Sequence, residues 1–323
     1  MNASGEPLMS VASIILAAGE GKRMKSDTAK ALHKACGLAL AEWVIRAVEP
    51  LCAEPPILVV GHKEEQMRAY FGDRVRYVLQ AQRLGTGHAV MMAREYLKAM
   101  DGYVLILAGD MPLIRTNTLR LLAESAQGRA GSVLTCKLGD PTGYGRVVRG
   151  GDGHVRRIVE HRDAGAEELL VNEVNTSVYC FDAKLLLGCL DRLKSDNAQG
   201  EYYLTDCIEL LGKDGYAVAA LCTDPEEGMG VNDPAQLKEC ERILCARINS
   251  AHIGNGAILP EPEEVYIEAD VTVGSGAVLE REVLLLGRTR VGAGAIIRRG
   301  SRIEDAVIPD GETVGPFARI KGE

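Results

Sequence analysis

The hydrophobic pattern divides the chain into two regions with different periods. From Val11 to about Asn249, short apolar runs alternate with longer amphipathic stretches. Runs such as VASIILA and YVLILAGD are apolar without alternation, as expected for strands that are covered on both faces. Stretches such as GHAVMMAREYLKAM have the spacing of an amphipathic helix. Strands that alternate with helices predict crossover units and a largely parallel sheet, in which ligands collect at the carboxyl ends of the strands.

The last helical stretch of this region is NDPAQLKECERILCARIN, residues 232–249. Asn232 or Asp233 suits the N-cap position, and Pro234 suits the first helical turn. We expect this helix to connect two domains.

Beyond the helix, aliphatic residues recur every six positions. They occupy Ile267, Val273, Leu279, Leu285, Val291, Ile297 and Ile303, and after one step of five they continue at Ile308, Val314 and Ile320. A period of six is neither the 2 of a strand nor the 3.6 of a helix. It predicts a β-helix of hexapeptide turns, about three coils long, which buries its core by stacking. An irregular glycine-rich tail is the alternative.

These patterns predict an α/β chain in three parts. A Rossmann-like, mostly parallel sheet occupies residues 1–231, a linker helix residues 232–250, and a short parallel β-helix residues 251–323.

Composition narrows the class of protein. The chain has 323 residues and a net charge of −8, which argues against a nucleic-acid binder, because such proteins usually carry a basic face. Nine cysteines are scattered without metal-ligand spacing, as in a reduced cytoplasmic protein. We find no signal-peptide or membrane-span pattern and expect no membrane partner. The six dispersed histidines are expected to be structural or surface residues.

The loop LAAGEGKRM, residues 16–24, follows the first predicted strand and combines small residues with cations. Small residues let the backbone approach a phosphate closely, and Arg and Lys both suit phosphate contacts. Four cations fall within nine residues, at Lys22, Arg23, Lys25 and Lys30. The loop therefore predicts a phosphate-binding site, with a solvated basic loop as the alternative.

Two common phosphate motifs do not fit this loop. A P-loop needs Gly, four residues and then Gly-Lys-Ser/Thr, but Arg23 follows Gly21-Lys22, and Leu16 occupies the earlier glycine position. A dinucleotide-binding loop needs a third small residue where this chain has Met24. What remains is a loop that surrounds a triphosphate, with cationic side chains on the outer phosphates.

Eight motifs carry a resemblance to a known family. In chain order they are LAAGEGKRMKSDTAKALH, LQAQRLGTGHAV, LAGDMPLI, DPTGYGRVVR, VEHRDA, NEVNTSVYCFD, DNAQGEYYLTD and MGVNDPAQLKECERI. Together, over residues 11–320, they resemble bacterial N-acetylglucosamine-1-phosphate uridyltransferases, the N-terminal activity of a bifunctional family that also carries a glucosamine-1-phosphate acetyltransferase on a left-handed β-helix.

The resemblance implies that the chain transfers a uridylyl group from UTP to N-acetylglucosamine-1-phosphate. The products would be UDP-N-acetylglucosamine, a cell-wall precursor, and pyrophosphate, and Mg²⁺ would be the cofactor. The resemblance also implies a homotrimer formed through the β-helix. Because the predicted β-helix is short, we expect no acetyltransferase activity. Another sugar-1-phosphate, such as glucose-1-phosphate, and a non-catalytic scaffold that binds nucleotide sugars remain as alternatives.

Asp110 ends the predicted strand YVLILAGD, where a carboxylate suits Mg²⁺, although a helix cap is the alternative. The resemblance assigns Asp110 and Asn232 to the metal and makes Arg23, Lys30 and Asp110 catalytic. It implies nucleotide contacts at Leu16, Ala17, Ala18, Gly19, Lys30, Gln80, Gly85, Thr86, Ala108 and Gly109. It implies sugar contacts at Gly145, Glu160, Asn175 and Asn232. The chain departs from the family pattern at Lys22, Ala29, Arg83, Ala108 and Ser177.

Overall fold

The computed structural model describes residues 11–322. Residues 1–10 of the predicted first domain and Glu323 of the predicted β-helix therefore lie outside the described range. The described residues form two units. The first comprises residues 11–32 and Leu40–Asn232, and the second comprises His33–Ala39 and residues 233–322.

Residues 11–322 contain twenty-one strands. In chain order they are β1 Val11–Leu16, β2 Lys34–Ala35, β3 Leu38–Ala39, β4 Ile57–Val60, β5 Arg76–Leu79, β6 Tyr103–Ala108, β7 Gly131–Lys137, β8 Arg146–Arg149, β9 Val155–Val159, β10 Glu173–Asp182, β11 Val218–Cys222, β12 Tyr266–Ile267, β13 Thr272–Val273, β14 Val278–Leu279, β15 Leu284–Leu286, β16 Arg290–Val291, β17 Ile296–Ile297, β18 Arg302–Glu304, β19 Val307–Ile308, β20 Thr313–Val314 and β21 Arg319–Lys321. The α-helices of the described residues are α1 Leu40–Val48, α2 Glu64–Phe71, α3 Thr86–Met92, α4 Arg94–Ala99, α5 Thr116–Ala126, α6 Ala166–Leu169, α7 Ala183–Leu190, α8 Asp206–Lys213 and α9 Pro234–Gly254.

The first unit is built on one sheet with the strand order β11-β7-β10-β6-β1-β4-β5, and the hairpin β8-β9 joins it at β10. Strand β1 runs parallel to β4 and β6, β4 runs parallel to β5, and β7 runs parallel to β11. Strand β10 is antiparallel to both of its long neighbours, β6 and β7. The sheet confirms the predicted Rossmann-like, mostly parallel architecture.

Both faces of this sheet are buried, which explains the apolar runs without alternation. Adjacent residues of β1 pack on opposite faces of the sheet: Ile14 belongs to one hydrophobic core and Ile15 to the other. Neighbouring β6 behaves in the same way, with Ile106 and Leu105 on opposite faces. A strand that is covered on both sides needs apolar residues at every position.

The parallel strands bring several predicted site segments to one edge of the sheet. The loop after β1 is tied to neighbouring strands, because Ala17 donates its backbone N–H to Val59 at 2.8 Å and Gly109 donates to Leu16 at 2.9 Å. Gln80 follows β5 directly, and its backbone N–H donates to Val60 at 2.8 Å. The phosphate loop, the segment of Gln80 and the segment of Asp110 therefore share the carboxyl edge.

The second unit contains the predicted β-helix. Its strands form three parallel sheets, β12-β15-β18-β21, β13-β16-β19 and β14-β17-β20. The hexad residues stack in register, as Ile267 pairs with Leu285, Leu285 with Ile303 and Ile303 with Ile320. All of the hexad residues belong to one apolar core or pack against it. The period of six is therefore confirmed as one inward aliphatic side chain per short strand.

The helix and hairpin of the second unit differ in detail from the sequence pattern. Asp233 caps α9 by accepting the backbone N–H of Gln236 at 2.9 Å, and the helix continues to Gly254 because no glycine or proline interrupts residues 250–253. The β2-β3 hairpin belongs to this unit, where the backbone oxygen of Cys36 accepts a hydrogen bond from the Ala269 N–H at 3.0 Å.

Among residues 11–322, no helix combines the length and the apolar character needed to cross a membrane.

Candidate active site

A cavity of about 310 Å³ lies at the carboxyl edge of the first unit's sheet. Its walls include residues that the sequence analysis assigned to two different substrates. The nucleotide-binding candidates among them are Leu16, Ala18, Gly19, Gln80, Gly85, Thr86 and Ala108. The sugar-binding candidates Glu160 and Asn175 also line it. Segments that are far apart in sequence therefore meet at one concave site.

The part of the cavity near Gln80 is formed by a close approach of two backbone segments. Gly85 has a φ of +107°, and a Cβ at this position would lie 2.5 Å from the backbone oxygen of Tyr202. Helix α3 begins at Thr86, whose hydroxyl accepts the backbone N–H of Leu204 at 3.1 Å. Thr86 therefore connects two segments and does not cap the helix, whose N-cap residue is Gly85.

The phosphate loop packs against the lysine that follows it. Gly21 has a φ of +65°, and a Cβ there would come within 2.7 Å of the Lys30 Cβ. Arg23 is exposed, and no hydrogen bond or ion pair links its side chain to residues 11–322. Lys22 is also exposed, and its Nζ lies 3.3 Å from a carboxylate oxygen of Glu20. The loop thus leaves Arg23 available to a ligand.

Lys30 joins the two residues that were predicted to hold a metal. Its Nζ contacts the carboxylate of Asp110 and donates to Asn232 Oδ1 at 2.7 Å. The backbone also connects these segments, because Val231 donates its N–H to the Asp110 carbonyl at 2.8 Å. A carboxylate oxygen and an amide oxygen thus converge on one cation, which is the kind of ligand set that Mg²⁺ uses. The residues present therefore fit a divalent cation.

A buried carboxylate that no sequence motif indicated supports this cluster. Glu227 is 4% exposed, and its Oε2 accepts the backbone N–H of Arg115 at 3.1 Å. Its Oε1 lies 3.8 Å from Arg115 Nε. Glu227 therefore ties the segment after Asp110 to the loop before Asn232. Within residues 11–322, no group of three or more His, Cys, Asp or Glu side chains is arranged to hold a metal.

The structure explains the departure at Ala29, where the family pattern has proline. The backbone N–H of Ala29, which proline would lack, donates to Gln66 Oε1 at 2.8 Å. The same amide donates from Nε2 to the Asp27 carbonyl at 2.9 Å. Gln66 therefore supplies, from helix α2, a restraint on the segment that leads into Lys30.

We expect Gln66→Ala to lower stability by about 1 kcal/mol, because the buried Ala29 N–H loses its acceptor. The exposed Gln127 is a matched control, since the interactions of that residue are made by its backbone. Urea unfolding of both variants measures the effect. Equal midpoints for Q66A and Q127A would show that the contact with Ala29 contributes nothing.

Glu160 lines the same cavity. Its Oε1 accepts from the Thr205 hydroxyl at 3.4 Å, and burial raises the pKa of the Glu160 carboxyl. A Cβ at Gly145 would come within 3.1 Å of Ile158 Cγ2 and 3.4 Å of both Glu160 carboxylate oxygens. Gly145 is not among the residues that line the cavity, and its lack of a side chain leaves room for Glu160.

Asn175 is fixed by its neighbours on β10. Its Nδ2 donates to the Tyr179 hydroxyl at 2.7 Å, and its Oδ1 accepts the Ser177 N–H at 3.0 Å. Ser177, which replaces the glycine of the family pattern, has a φ of +63°, a conformation that glycine adopts most easily. Other cavity residues that the sequence analysis did not predict are Arg83, Ala89, Ser177, Tyr179, Glu201, Leu204 and Thr205.

Asp206, next to Thr205, gives a pH prediction. Burial, with Glu209 and Asp163 nearby, raises the pKa of Asp206 to about 6, so the folded state binds more protons than the unfolded state between about pH 4 and pH 6. Its contribution to stability is present below about pH 4 and is lost as the pH rises through 6. Asp206→Asn should therefore gain stability relative to the parent as the pH rises from about 4 to about 7. Urea unfolding at both pH values checks this, and a pH-independent difference would contradict it.

Comparison with known proteins identifies the family. The model of the MobA-like NTP transferase domain matches residues 13–198. The chain is 45% identical over 327 residues to the bifunctional protein GlmU of Acetivibrio thermocellus, covering 95% of this chain and 71% of that protein. It is 44% identical over 300 residues to bifunctional protein GlmU of Latilactobacillus sakei, covering 92% and 65%. For bifunctional protein GlmU of Caldanaerobacter subterraneus the identity is 42% over 329 residues, covering 96% and 72%. The chain therefore belongs to the GlmU family and carries a MobA-like NTP transferase domain.

Proposed function

We propose that this chain transfers a uridylyl group from UTP to N-acetylglucosamine-1-phosphate and releases UDP-N-acetylglucosamine and pyrophosphate. Family membership supports nucleotidyl transfer as the class of reaction. The observation that carries the finer proposal is the single cavity in which the nucleotide-binding and the sugar-binding candidates meet. A protein that bound only a nucleotide or only a sugar phosphate would not need both sets of candidates in one cavity.

The reaction requires positioning and charge neutralisation more than covalent chemistry. The sugar phosphate is ionised at neutral pH, so no general base is needed to activate it. In this proposal the loop that includes Leu16, Ala18 and Gly19 lies against the nucleotide, and Arg23 and Lys30 neutralise charge on the departing pyrophosphate. Glu160 and Asn175 orient the sugar by hydrogen bonds to its polar groups.

We also propose that Asp110 and Asn232 hold Mg²⁺, on the basis of the oxygen atoms that converge at Lys30. When bound, Mg²⁺ would stabilise negative charge on the phosphate oxygens. Lys30 lies between the two proposed ligands and thus close to the same phosphates. Glu227 keeps the two ligand segments together through Arg115.

Pyrophosphate release tests the proposal, with UTP, CTP, ATP and dTTP each paired with N-acetylglucosamine-1-phosphate, glucosamine-1-phosphate and glucose-1-phosphate, with and without Mg²⁺. We expect the highest kcat/KM for UTP with N-acetylglucosamine-1-phosphate, and only with a divalent metal. A higher kcat/KM for another sugar phosphate would replace the acceptor in the proposal. If the protein binds nucleotide sugars but turns over none of these pairs, it is a non-catalytic scaffold and not an enzyme.

The assembly is proposed on the family resemblance and on the stacked β-helix of the second unit. We propose a homotrimer formed through this β-helix and a cytoplasmic location. The domain limits 1–231, 232–250 and 251–323 stay a proposal. Multi-angle light scattering that finds only monomer would contradict the trimer.

A further inference from the structure

The side-chain amide of Gln80 is held on one side by two groups. Gln80 is 5% exposed and lines the cavity. Its Nε2 donates to the backbone oxygen of Gly85 at 3.1 Å and lies 3.1 Å from His88 Nδ1. The cavity wall thus contains a buried amide whose nitrogen is already engaged by the protein.

The chemistry of these partners determines which way the amide faces. A carbonyl oxygen only accepts hydrogen bonds, so the amide atom that faces Gly85 must be the NH₂ nitrogen and not the oxygen. The second proton of this NH₂ group then points to His88 Nδ1, which accepts it when the ring is neutral and carries its proton on Nε2. Gln80 Oε1 has no hydrogen-bond partner among residues 11–322, and it is the polar atom of this side chain left for a ligand.

The position of the His88 ring is fixed by its helix. Helix α3 is held to the segment of Tyr202, because Gly87 donates its backbone N–H to the Tyr202 oxygen at 2.8 Å. The His88 ring also lies beside the Tyr202 ring, with centroids 6.4 Å apart and an interplanar angle of 31°. The ring therefore presents Nδ1 to Gln80 from a supported position.

A second backbone group completes a pattern that distinguishes bases. The N–H of Gly85, another wall residue, donates to no acceptor among residues 11–322. Gln80 Oε1 and the Gly85 N–H together offer one acceptor and one donor to a ligand. Uracil presents the complementary pair, an N3–H donor beside a carbonyl acceptor, whereas cytosine presents an acceptor at N3 beside an amino donor.

We propose that His88 is a positioning residue that selects uracil over cytosine by fixing the orientation of the Gln80 amide. This inference rests on the proposed use of UTP. Without an acceptor at His88, only the Gly85 carbonyl favours the observed orientation. A rotated amide would present its donor to the uracil N3–H, and a site with mismatched polar groups rejects its ligand because buried donors are left unpaired.

The test compares His88→Leu with His88→Asn. Leucine removes the acceptor, whereas asparagine carries Oδ1 close to the position of Nδ1 and so retains an acceptor. We expect H88L to lower the ratio of kcat/KM for UTP to that for CTP at least ten-fold, mainly through a higher KM for UTP. H88N should recover most of the ratio. His154→Leu is the matched control and should leave the ratio unchanged, because the hydrogen bonds of His154 are made by its backbone, to Gly150 and Asp152.

Binding measurements distinguish a changed orientation of the Gln80 amide from a general loss of folding. Calorimetric titration with UTP and CTP in the absence of sugar phosphate should show the same loss of discrimination in H88L, and its recovery in H88N. An unchanged UTP-to-CTP ratio in H88L would overturn the inference, and so would an equal loss of discrimination in H88L and H88N. A parent protein that turns over CTP as well as UTP would instead overturn the proposed uridylyl specificity, so the two failures are distinguishable.

Discussion

Asp110→Asn is expected to lower kcat/KM for pyrophosphate release at least ten-fold, which corresponds to about 1.4 kcal/mol of activation free energy. Asp110 supplies the negative charge among the oxygen atoms that meet the Lys30 ammonium. An amide keeps the size and one acceptor oxygen but removes that charge. A hard divalent cation binds a carboxylate more strongly than a neutral amide, so the variant should hold the proposed Mg²⁺ less tightly.

The measurement is turnover as a function of Mg²⁺ concentration, together with direct binding of Mn²⁺ in the absence of substrates. D110N should need more Mg²⁺ for half-maximal activity and should bind Mn²⁺ more weakly. Asp101→Asn is the matched control, because Asp101 is an exposed carboxylate that pairs with Lys184 at 2.9 Å on the same unit. An unchanged Mg²⁺ concentration for half-maximal activity, together with unchanged Mn²⁺ binding in D110N, would show that Asp110 does not hold the metal.

The β-helix was predictable because its period is local. Each short strand contributes one inward side chain, and the same kind of residue returns after six positions, as at Leu279 and Leu285. The single step of five, from Ile303 to Ile308, was also visible in the sequence. It shortens one coil by one residue, so that Ile303 pairs with Ile320, 17 positions later, whereas Leu285 pairs with Ile303, 18 positions later.

The mostly parallel sheet was predictable for a related reason. Runs that are apolar at every position indicate strands buried on both faces, and helices between them indicate parallel crossovers. The sequence did not reveal that β10 inserts in the antiparallel direction between β6 and β7. Direction depends on the path of the connections, and the apolar content of a strand is the same for both directions.

Several residues of the cavity could not be predicted from the sequence. Thr205 reaches Glu160 across 45 positions, and Leu204 reaches Thr86 across 118. No spacing rule connects residues at such distances, so only motif resemblance or the folded chain brings them together. The same applies to Glu20 and Arg83, which form an ion pair of 2.6 Å between loops that follow different strands.

The departures from the family pattern have local explanations of different kinds. Ala29 keeps an N–H that Gln66 accepts, so a hydrogen bond stands where proline would restrain the backbone. Ser177 has a positive φ without the freedom of glycine, so its conformation is held by the surrounding β10 contacts, including the bond to Asn175. Sequence alone shows that such a residue is unusual but does not show what compensates for it.

Gly85→Ala is expected to raise the KM for UTP at least ten-fold and to destabilise the first unit. Two physical effects add at this position. The φ of +107° and ψ of 176° lie in a region that is essentially restricted to glycine and costs other residues about 1–3 kcal/mol. The added Cβ would also lie 2.5 Å from the Tyr202 oxygen and 2.9 Å from Glu201 Cβ, so the two segments must separate. That separation moves both the Gly85 N–H and the carbonyl that fixes Gln80.

Gly128→Ala separates the two effects. Gly128 also has a positive φ, of +70°, but a Cβ there would meet no atom within 4 Å, and the residue does not line the cavity. G128A should therefore lose only about 1–2 kcal/mol of stability with an unchanged KM. Thermal unfolding and UTP kinetics of both variants measure the difference. An unchanged KM in G85A, despite a greater loss of stability than in G128A, would show that the approach of Gly85 to Tyr202 supports the fold and does not shape the nucleotide site.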